Sequence, residues 1–227
     1  MNDAIPMPPL EYQALVCGSN GVHHFEEVGR GLVNMLDHYG MLSEGVEFLD
    51  VGCGCARVAR YFMDRSVKSY TGFDRHKGMI EWCRQQITSR DPRFQFNYFE
   101  LKSVYSVLDN EQGTIDVKSF RFPWADESFD SVFLASVFTH MPPGEVKAYL
   151  GEIARVLRPK GKALASIFFA PGELETRGRG TNVFHNADRF LADLACFPFD
   201  ALLVNPETPA RSFSCEHNWY LLKRRKP

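Results

Sequence analysis

The sequence predicts a doubly wound α/β domain on three observations. Short apolar runs alternate with amphipathic stretches, a glycine-rich turn follows the first run at once, and the second run ends in an acid. Strands alternating with helices form a parallel sheet with right-handed crossovers, and ligands of such sheets bind beyond the carboxyl ends of the strands. Residues 24–39 place Phe25, Val28, Leu32, Met35, Leu36 and Tyr39 at three- and four-residue steps, which predicts an amphipathic helix. The run VEFLDV (46–51) predicts a strand stopped by glycines, and ARVARYFMD (56–64) returns to helical spacing through Val58, Ala59 and Phe62. The unit then repeats: a strand over 68–74, a helix over 77–87 with Met79, Ile80, Cys83 and Ile87 inward, and an alternating strand over 93–101. Residues 102–121 are irregular and read as an insertion. The near-continuous apolar run 130–138 suits a strand covered on both faces. Pro142 and Pro143 with Glu145 open a helix over 144–157 that buries Val146, Tyr149, Leu150, Ile153 and Leu157. The turn residues RPKG (158–161) stop it and lead to a fifth strand over 162–170.

Composition narrows the function classes. A chain of 227 residues, 44% hydrophobic and 24% charged, is enough for one sizeable core and one domain overall. A net charge of −2 gives no footprint for a phosphate backbone, so no nucleic-acid partner is expected, and the terminal KRRKP reads as a solvated end. The start MNDAIPMPPLEYQ lacks the features of a secretory signal, and no apolar segment approaches membrane-spanning length. The expectation is a cytoplasmic protein without membrane association. Six cysteines, Cys17, Cys53, Cys55, Cys83, Cys196 and Cys215, show no framework spacing and read as reduced thiols. Cys53 and Cys55 lack the further close ligands a zinc ion needs, so no metal is expected.

The glycine turn decides the ligand. A dinucleotide fingerprint needs a third glycine where this chain has Arg57, and a phosphate loop needs Lys-Ser or Lys-Thr where it has Ala56-Arg57. What remains is Asp50 at the strand end, Gly52 and Gly54 permitting close backbone approach, and a small Ala56. An acid on the strand floor suits a ligand carrying an ammonium group. Asp74 follows Gly54 by 20 residues, the spacing at which a carboxylate reaches both hydroxyls of a ribose. Capping the next helix is the plainer use of Asp74.

Taken in order, FLDVGCGCA, YTGFD, FPWADESFDSVFLASVFTHM and LGEIARVLRPKGKALAS resemble the motifs of the class I S-adenosylmethionine-dependent methyltransferases, in particular those acting on small molecules. The resemblance covers residues 46–170. It implies a Rossmann-like sheet, mainly parallel with an antiparallel final strand built from DALLV and HNWYLLKR, and helices on both faces. It also implies an N-terminal helical cap over 1–45 and a cofactor-binding domain over 46–227. S-adenosylmethionine would be the cofactor, S-adenosylhomocysteine the product, and no metal would be needed. Gly52, Cys53 and Gly54 would pass beside the methionine part of the cofactor, Asp50 would organise its ammonium, and Asp74 would hold the ribose diol. Arg75, Met79 and Ile80 would flank the adenine, although Met79 and Ile80 fit an ordinary helix core as well. Glu100, where the family usually has Asp, would accept the adenine amine. Ser136 would lie under the methionine moiety, or be a satisfied serine with no ligand. Arg57 and Arg60 are departures from the family pattern and are expected to point outward along a helix.

Methyl transfer from a sulfonium is an in-line displacement in which alignment comes first. A hydroxyl acceptor would also need a base, and His140 in VFTHM is the catalytic candidate, with bracing of the loop as its other use. His23 and His24 are weaker candidates. The acceptor pocket is expected from residues 12–25 and 172–186; Arg177, Arg179, Asn182 and His185 in the latter suit a mobile loop and a polar or anionic small molecule. Rival readings are a non-catalytic nucleoside-binding module serving a protein partner, a protein methyltransferase, and a nicotinamide oxidoreductase.

Overall fold

The computed structural model describes residues 5–17, 22–103, 113–170, 176–177, 181–204 and 217–226. The chain divides into two compact units, with the boundary between Phe99 and Glu100.

The first unit opens with helices α1 (Leu10–Cys17) and α2 (Val22–His38). The expected face of α2 is the buried one: Phe25, Val28, Leu32, Met35 and Leu36 are all enclosed, with Tyr39 half-buried just beyond the end. Strands β1 (Glu47–Val51), β2 (Ser69–Asp74) and β3 (Phe94–Tyr98) pair in parallel, with β2 central. The register aligns Phe48, Tyr70 and Phe94, whose rings stack at 5.4 Å along the ladder. Phe62 closes this stack edge-on at 4.9 Å from Phe48 and 5.2 Å from Tyr70. Each such ring pair contributes about 0.5–1.5 kcal/mol beyond its burial. Helix α3 (Lys77–Cys83) continues into a wider turn over Arg84–Thr88, burying Met79, Ile80, Cys83 and Ile87 as expected.

One element differs. Residues 55–64 form turns and a single 3-10 turn at Ala59–Tyr61 rather than the expected helix. Ala56 enters the segment with φ +61, a left-handed conformation that a helix cannot continue. Tertiary contacts then override the helical spacing: Tyr61 donates to the Glu26 carbonyl at 3.3 Å, and Arg30 of α2 lies over its ring. Arg57 and Arg60 do not point outward. Arg57 is 6% exposed and donates to the Val16 carbonyl (3.2 Å) and to Cys17 Sγ (3.3 Å), while Arg60 donates to the Ile5 carbonyl (3.0 Å). Both hold the N-terminal segment, because a buried guanidinium must find acceptors and that segment supplies them.

In the second unit β4 (Phe129–Leu134) pairs in parallel with β5 (Leu157–Ile167). Helix α4 (Pro143–Val156) joins them, with Pro142 at its N-cap and Pro143 at the first turn. The helix runs directly into β5 at Leu157. The register jumps from Phe129↔Leu157 to Ser131↔Lys162, so RPKG is a bulge inside the strand pair, turned by Lys160 at φ +69. After the short pair β6 (Thr176–Arg177) and β7 (Val183–Phe184) and helix α5 (Ala187–Ala195) come β8 (Phe199–Val204) and β9 (Asn218–Arg224). Strand β9 runs antiparallel to both β5 and β8, which is the expected antiparallel finish. Of the 102–121 insertion, residues 104–112 lie outside the described residues; beyond them Ile115 bridges Leu101 and Val117–Ser119 make a 3-10 turn. No helix among the described residues is long and apolar enough to cross a membrane.

Gly29 lets α2 pass close to the 55–64 segment, since a Cβ there would stand 2.6 Å from the Arg57 carbonyl and 2.8 Å from the Tyr61 ring. Gly29→Ala is therefore expected to destabilise the fold by about 1–3 kcal/mol in urea denaturation, despite alanine's better helix propensity. Equal or greater stability would contradict the close approach.

Candidate cofactor and methyl-transfer site

The glycine turn is built from the inside. Gly52 (φ +71) and Gly54 (φ +52) adopt conformations that favour glycine, so the chain folds back between β1 and the 55–64 segment. The amides of Gly52 and Cys53 both donate to the Phe73 carbonyl, at 2.9 and 3.0 Å. The Gly54 amide donates to Asp74 Oδ2 at 2.9 Å, and His76 donates its amide to Oδ1 at 2.8 Å. Three successive turn amides are thus consumed by β2. An anion-binding loop needs those amides aimed at the ligand, so the geometry disfavours a phosphate cradle.

Asp74 is partly buried at the end of β2, and burial pushes its carboxyl pKa up against the two amide bonds that pull it down. Each of its oxygens keeps a second lone pair, which fits a diol donating to both. Asp50 is 3% exposed and accepts a hydrogen bond from the Tyr70 hydroxyl. Burial raises its pKa to about 7, opposed by that hydrogen bond and by the Arg57 guanidinium, and reinforced by Asp74. Near neutrality Asp50 is therefore balanced between acid and carboxylate, and a neighbouring ammonium would favour the ionised form.

Cys53 and Cys83 are buried with their pKa values raised, and Cys55 is pushed up to about 12, chiefly by burial. These are inert thiols, and no group of residues among those described could hold a metal ion. Met79 is 3% exposed in a cluster with Phe25 and Cys55, and its Sδ lies 3.8 Å from where a Cβ on Gly54 would stand. It is core and neighbour of the turn at once. Ile80 is fully enclosed, so it belongs to the core. Arg75 is partly buried and favours the ionised form of Asp74.

In the second unit Glu100 is exposed, its carboxylate accepting from the Thr114 hydroxyl at 2.8 Å. Ser136 stands two residues past β4 at φ +60. Its amide donates to Ser166 Oγ at 2.8 Å, and its hydroxyl lies 3.1 Å from His217 Nε2. A serine held in the left-handed region costs about 1–2 kcal/mol, and here the contacts of its amide and its hydroxyl hold it in that conformation. Ser166 on β5 and His217 beside β9 were read from the sequence only as parts of strand segments, so their contacts with Ser136 were not legible. His140 Nδ1 donates to the Thr181 carbonyl at 3.1 Å, a bond that fixes the tautomer with the lone pair on Nε2. Burial lowers its pKa to about 4. Thr139 beside it buries a hydroxyl oxygen that has no hydrogen-bond partner among the described residues.

His185 departs from its expected place on a mobile polar loop: it is 2% exposed and its ring lies 3.0 Å from the Phe138 carbonyl, bracing the turn after β4. Its polar ring needs a buried partner, and the chain turn supplies one. Residues 171–175 and 178–180, with the side chains of Thr176 and Arg177, lie outside the described residues, as does the His23 side chain. The proposed roles of Arg177, Arg179 and His23 therefore fall there. His24 is half-buried on α2.

With this geometry in place, comparison defines the class. A family model described as a methyltransferase domain matches residues 49–165, more than half of the chain, and the chain belongs to that family. The methyltransferase GfsG of Streptomyces halstedii is 25% identical over 149 residues, covering 66% of this chain and 47% of the relative. The chain spans about half the length, or less, of the curated relatives it matches. Among solved structures, SAM-bound CalS10, an amino pentose methyltransferase from Micromonospora echinaspora, aligns with a TM-score of 0.63 at 14% identity, covering 96% of this chain and 98% of that one. The [4+2]-cyclase SpnF aligns at 0.59 and 20% identity, covering 88% and 80%. These likenesses show the Rossmann-like methyltransferase fold.

A raised carboxyl pKa makes the native state take up protons that the unfolded chain has released. The stability contributed by protonated Asp50 is present below about pH 3.8 and is lost as pH rises through about 7. Denaturation at pH 5 and pH 8 is expected to show Asp50→Asn losing less stability over that interval than the wild type. An identical pH dependence would remove Asp50 from the titration.

Proposed function

We propose that this protein transfers the methyl group of S-adenosylmethionine to an oxygen or nitrogen of a small-molecule acceptor. The observation that carries the reading is the Asp74 carboxylate closing a glycine turn whose amides are consumed internally, which suits a ribose diol and an ammonium rather than a pyrophosphate. Membership of the methyltransferase domain family supports it. A small-molecule acceptor is supported by CalS10, an amino pentose methyltransferase of the same fold.

In this reading Asp74 binds the ribose, Asp50 the ammonium, Gly52, Cys53 and Gly54 line the methionine part, and Arg75 and Met79 flank the adenine. Glu100 accepts the adenine amine, Ser136 lies under the methionine moiety, and the N-terminal segment 1–45 acts as the cap. Arg177 and Arg179 favour a polar or anionic acceptor. Bound S-adenosylmethionine supplies a methyl group on a sulfonium, which leaves readily. The chain's own task is alignment, an effect worth roughly 7–11 kcal/mol when the geometry is right. His140 is assigned as the proton-accepting group. The Thr181 carbonyl orients it, and its low basicity keeps it neutral across the physiological range.

Asp74→Ala is expected to weaken binding of labelled S-adenosylmethionine in equilibrium dialysis by about 100-fold or more, since two charge-assisted bonds to the ligand are lost and the turn loses its tie. Unchanged affinity would remove Asp74 from the site. His140→Ala is expected to leave that affinity nearly intact and lower the transfer rate by roughly 10²-fold or more. An unaltered rate at saturating acceptor would return His140 to bracing.

SpnF favours a second reading, because a [4+2]-cyclase shares this fold. The protein would then act on a small molecule without methyl transfer. Release of S-adenosylhomocysteine with any acceptor excludes that reading.

A further inference from the structure

Helix α1, with the sequence LEYQALVC, buries its glutamine and exposes a leucine: Gln13 is 4% exposed and is the one residue of the helix in the buried class, whereas Leu10 is 67% exposed. That inverts the usual preference, so something other than core packing places Gln13 inward. Its Nε2 donates to the Pro8 carbonyl at 2.7 Å. This bond fixes the amide, because the flipped orientation would set oxygen against oxygen. The other end, Oε1, is buried and has no hydrogen-bond partner among the described residues. A buried acceptor in that condition is costly unless a donor arrives.

The packing of α1 bears on the donor. Gln13 shares a helix face with Val16 and Cys17, three and four residues on. Val16 Cγ2 lies 2.9 Å from where a Cβ on Gly54 would stand, and the Val16 carbonyl and Cys17 Sγ take the Arg57 guanidinium. On the neighbouring face Tyr12 packs edge-on against His76 at 5.3 Å, and its hydroxyl abuts Gly78 at the start of α3, where a Cβ would collide with it. Helix α1 is therefore seated on the glycine turn and on the first turn of α3, within the first unit.

We infer that Gln13 is a cofactor-binding residue, its Oε1 accepting a hydrogen bond from an N–H or O–H donor of the bound cofactor. The inference rests on the S-adenosylmethionine reading above. Two parts of the cofactor carry such donors: the ammonium of the amino-acid end, and the hydroxyls and amine of the nucleoside.

The test is calorimetric titration of wild type and Gln13→Leu with S-adenosylhomocysteine and with 5′-methylthioadenosine, which lacks the amino-acid end. Gln13→Leu should weaken S-adenosylhomocysteine by about tenfold or more. A fall for that ligand alone places the acceptor at the ammonium, and equal falls for both place it at the nucleoside; either supports the inference. Wild-type binding with affinity unchanged within about twofold in Gln13→Leu would overturn this inference alone. Absence of binding by the wild type would overturn the cofactor reading and this inference together. Should Gln13→Leu fail to melt cooperatively, the wild type decides: the 13C resonance of the Gln13 side-chain carbonyl must move on addition of S-adenosylhomocysteine, and a stationary resonance overturns the inference.

Discussion

The carboxylate of Asp74 takes the Gly54 amide on one oxygen and the His76 amide on the other, and much of the first unit's architecture follows from that pair of bonds. It ties the end of β2 to the turn after β1 and to the entry of α3. Because Phe73 already accepts from Gly52 and Cys53, the turn is locked to β2 along three residues. A turn locked in this way offers a ligand its glycine surface and an acidic rim instead of a row of amides. The same residue thus sets both the shape of the turn and the acidic character of its rim.

The arginines that follow the turn give it a second role. Arg57 and Arg60 reach back to Val16, Cys17 and Ile5, so the segment after the turn holds the segment that covers it. The Arg57 guanidinium also favours ionisation of Asp50, linking the placement of α1 to the charge beneath the turn. A helical run through 55–64 would lose this link. Ala56 in the left-handed region, where glycine would be unstrained, is the local cost of the arrangement.

The alternating pattern made the sheet legible because β-strands covered on both faces and amphipathic helices leave strong signals, as in 24–39 and in the run 130–138, although β4 ends at Leu134 and Phe138–His140 make a 3-10 turn. The spacing of 20 residues between Gly54 and Asp74 was legible too, and in the structure it is a hydrogen bond. Helical spacing misled at 56–64, where Val58, Ala59 and Phe62 are buried as expected but on turns, since packing against α2 and the N-terminal segment outweighs propensity. Ser166 and His217 sit in stretches read only for their strands, and no motif pointed to Gln13; what singles them out is a contact with a residue 30 or 81 positions away or, for Gln13, an Oε1 without a partner among the described residues. His185 reads as a loop residue among glycines, and only its burial reveals the brace.

A turn closed by Asp74 in this way is expected to favour a nucleoside bearing an ammonium-tipped amino-acid tail over a pyrophosphate ligand. Calorimetric titration of the wild-type protein with S-adenosylhomocysteine, NAD and ATP under one set of conditions tests it most directly. Saturable binding of S-adenosylhomocysteine, and none of NAD or ATP, is the expected result. Saturable binding of NAD or ATP, with none of S-adenosylhomocysteine, would contradict it.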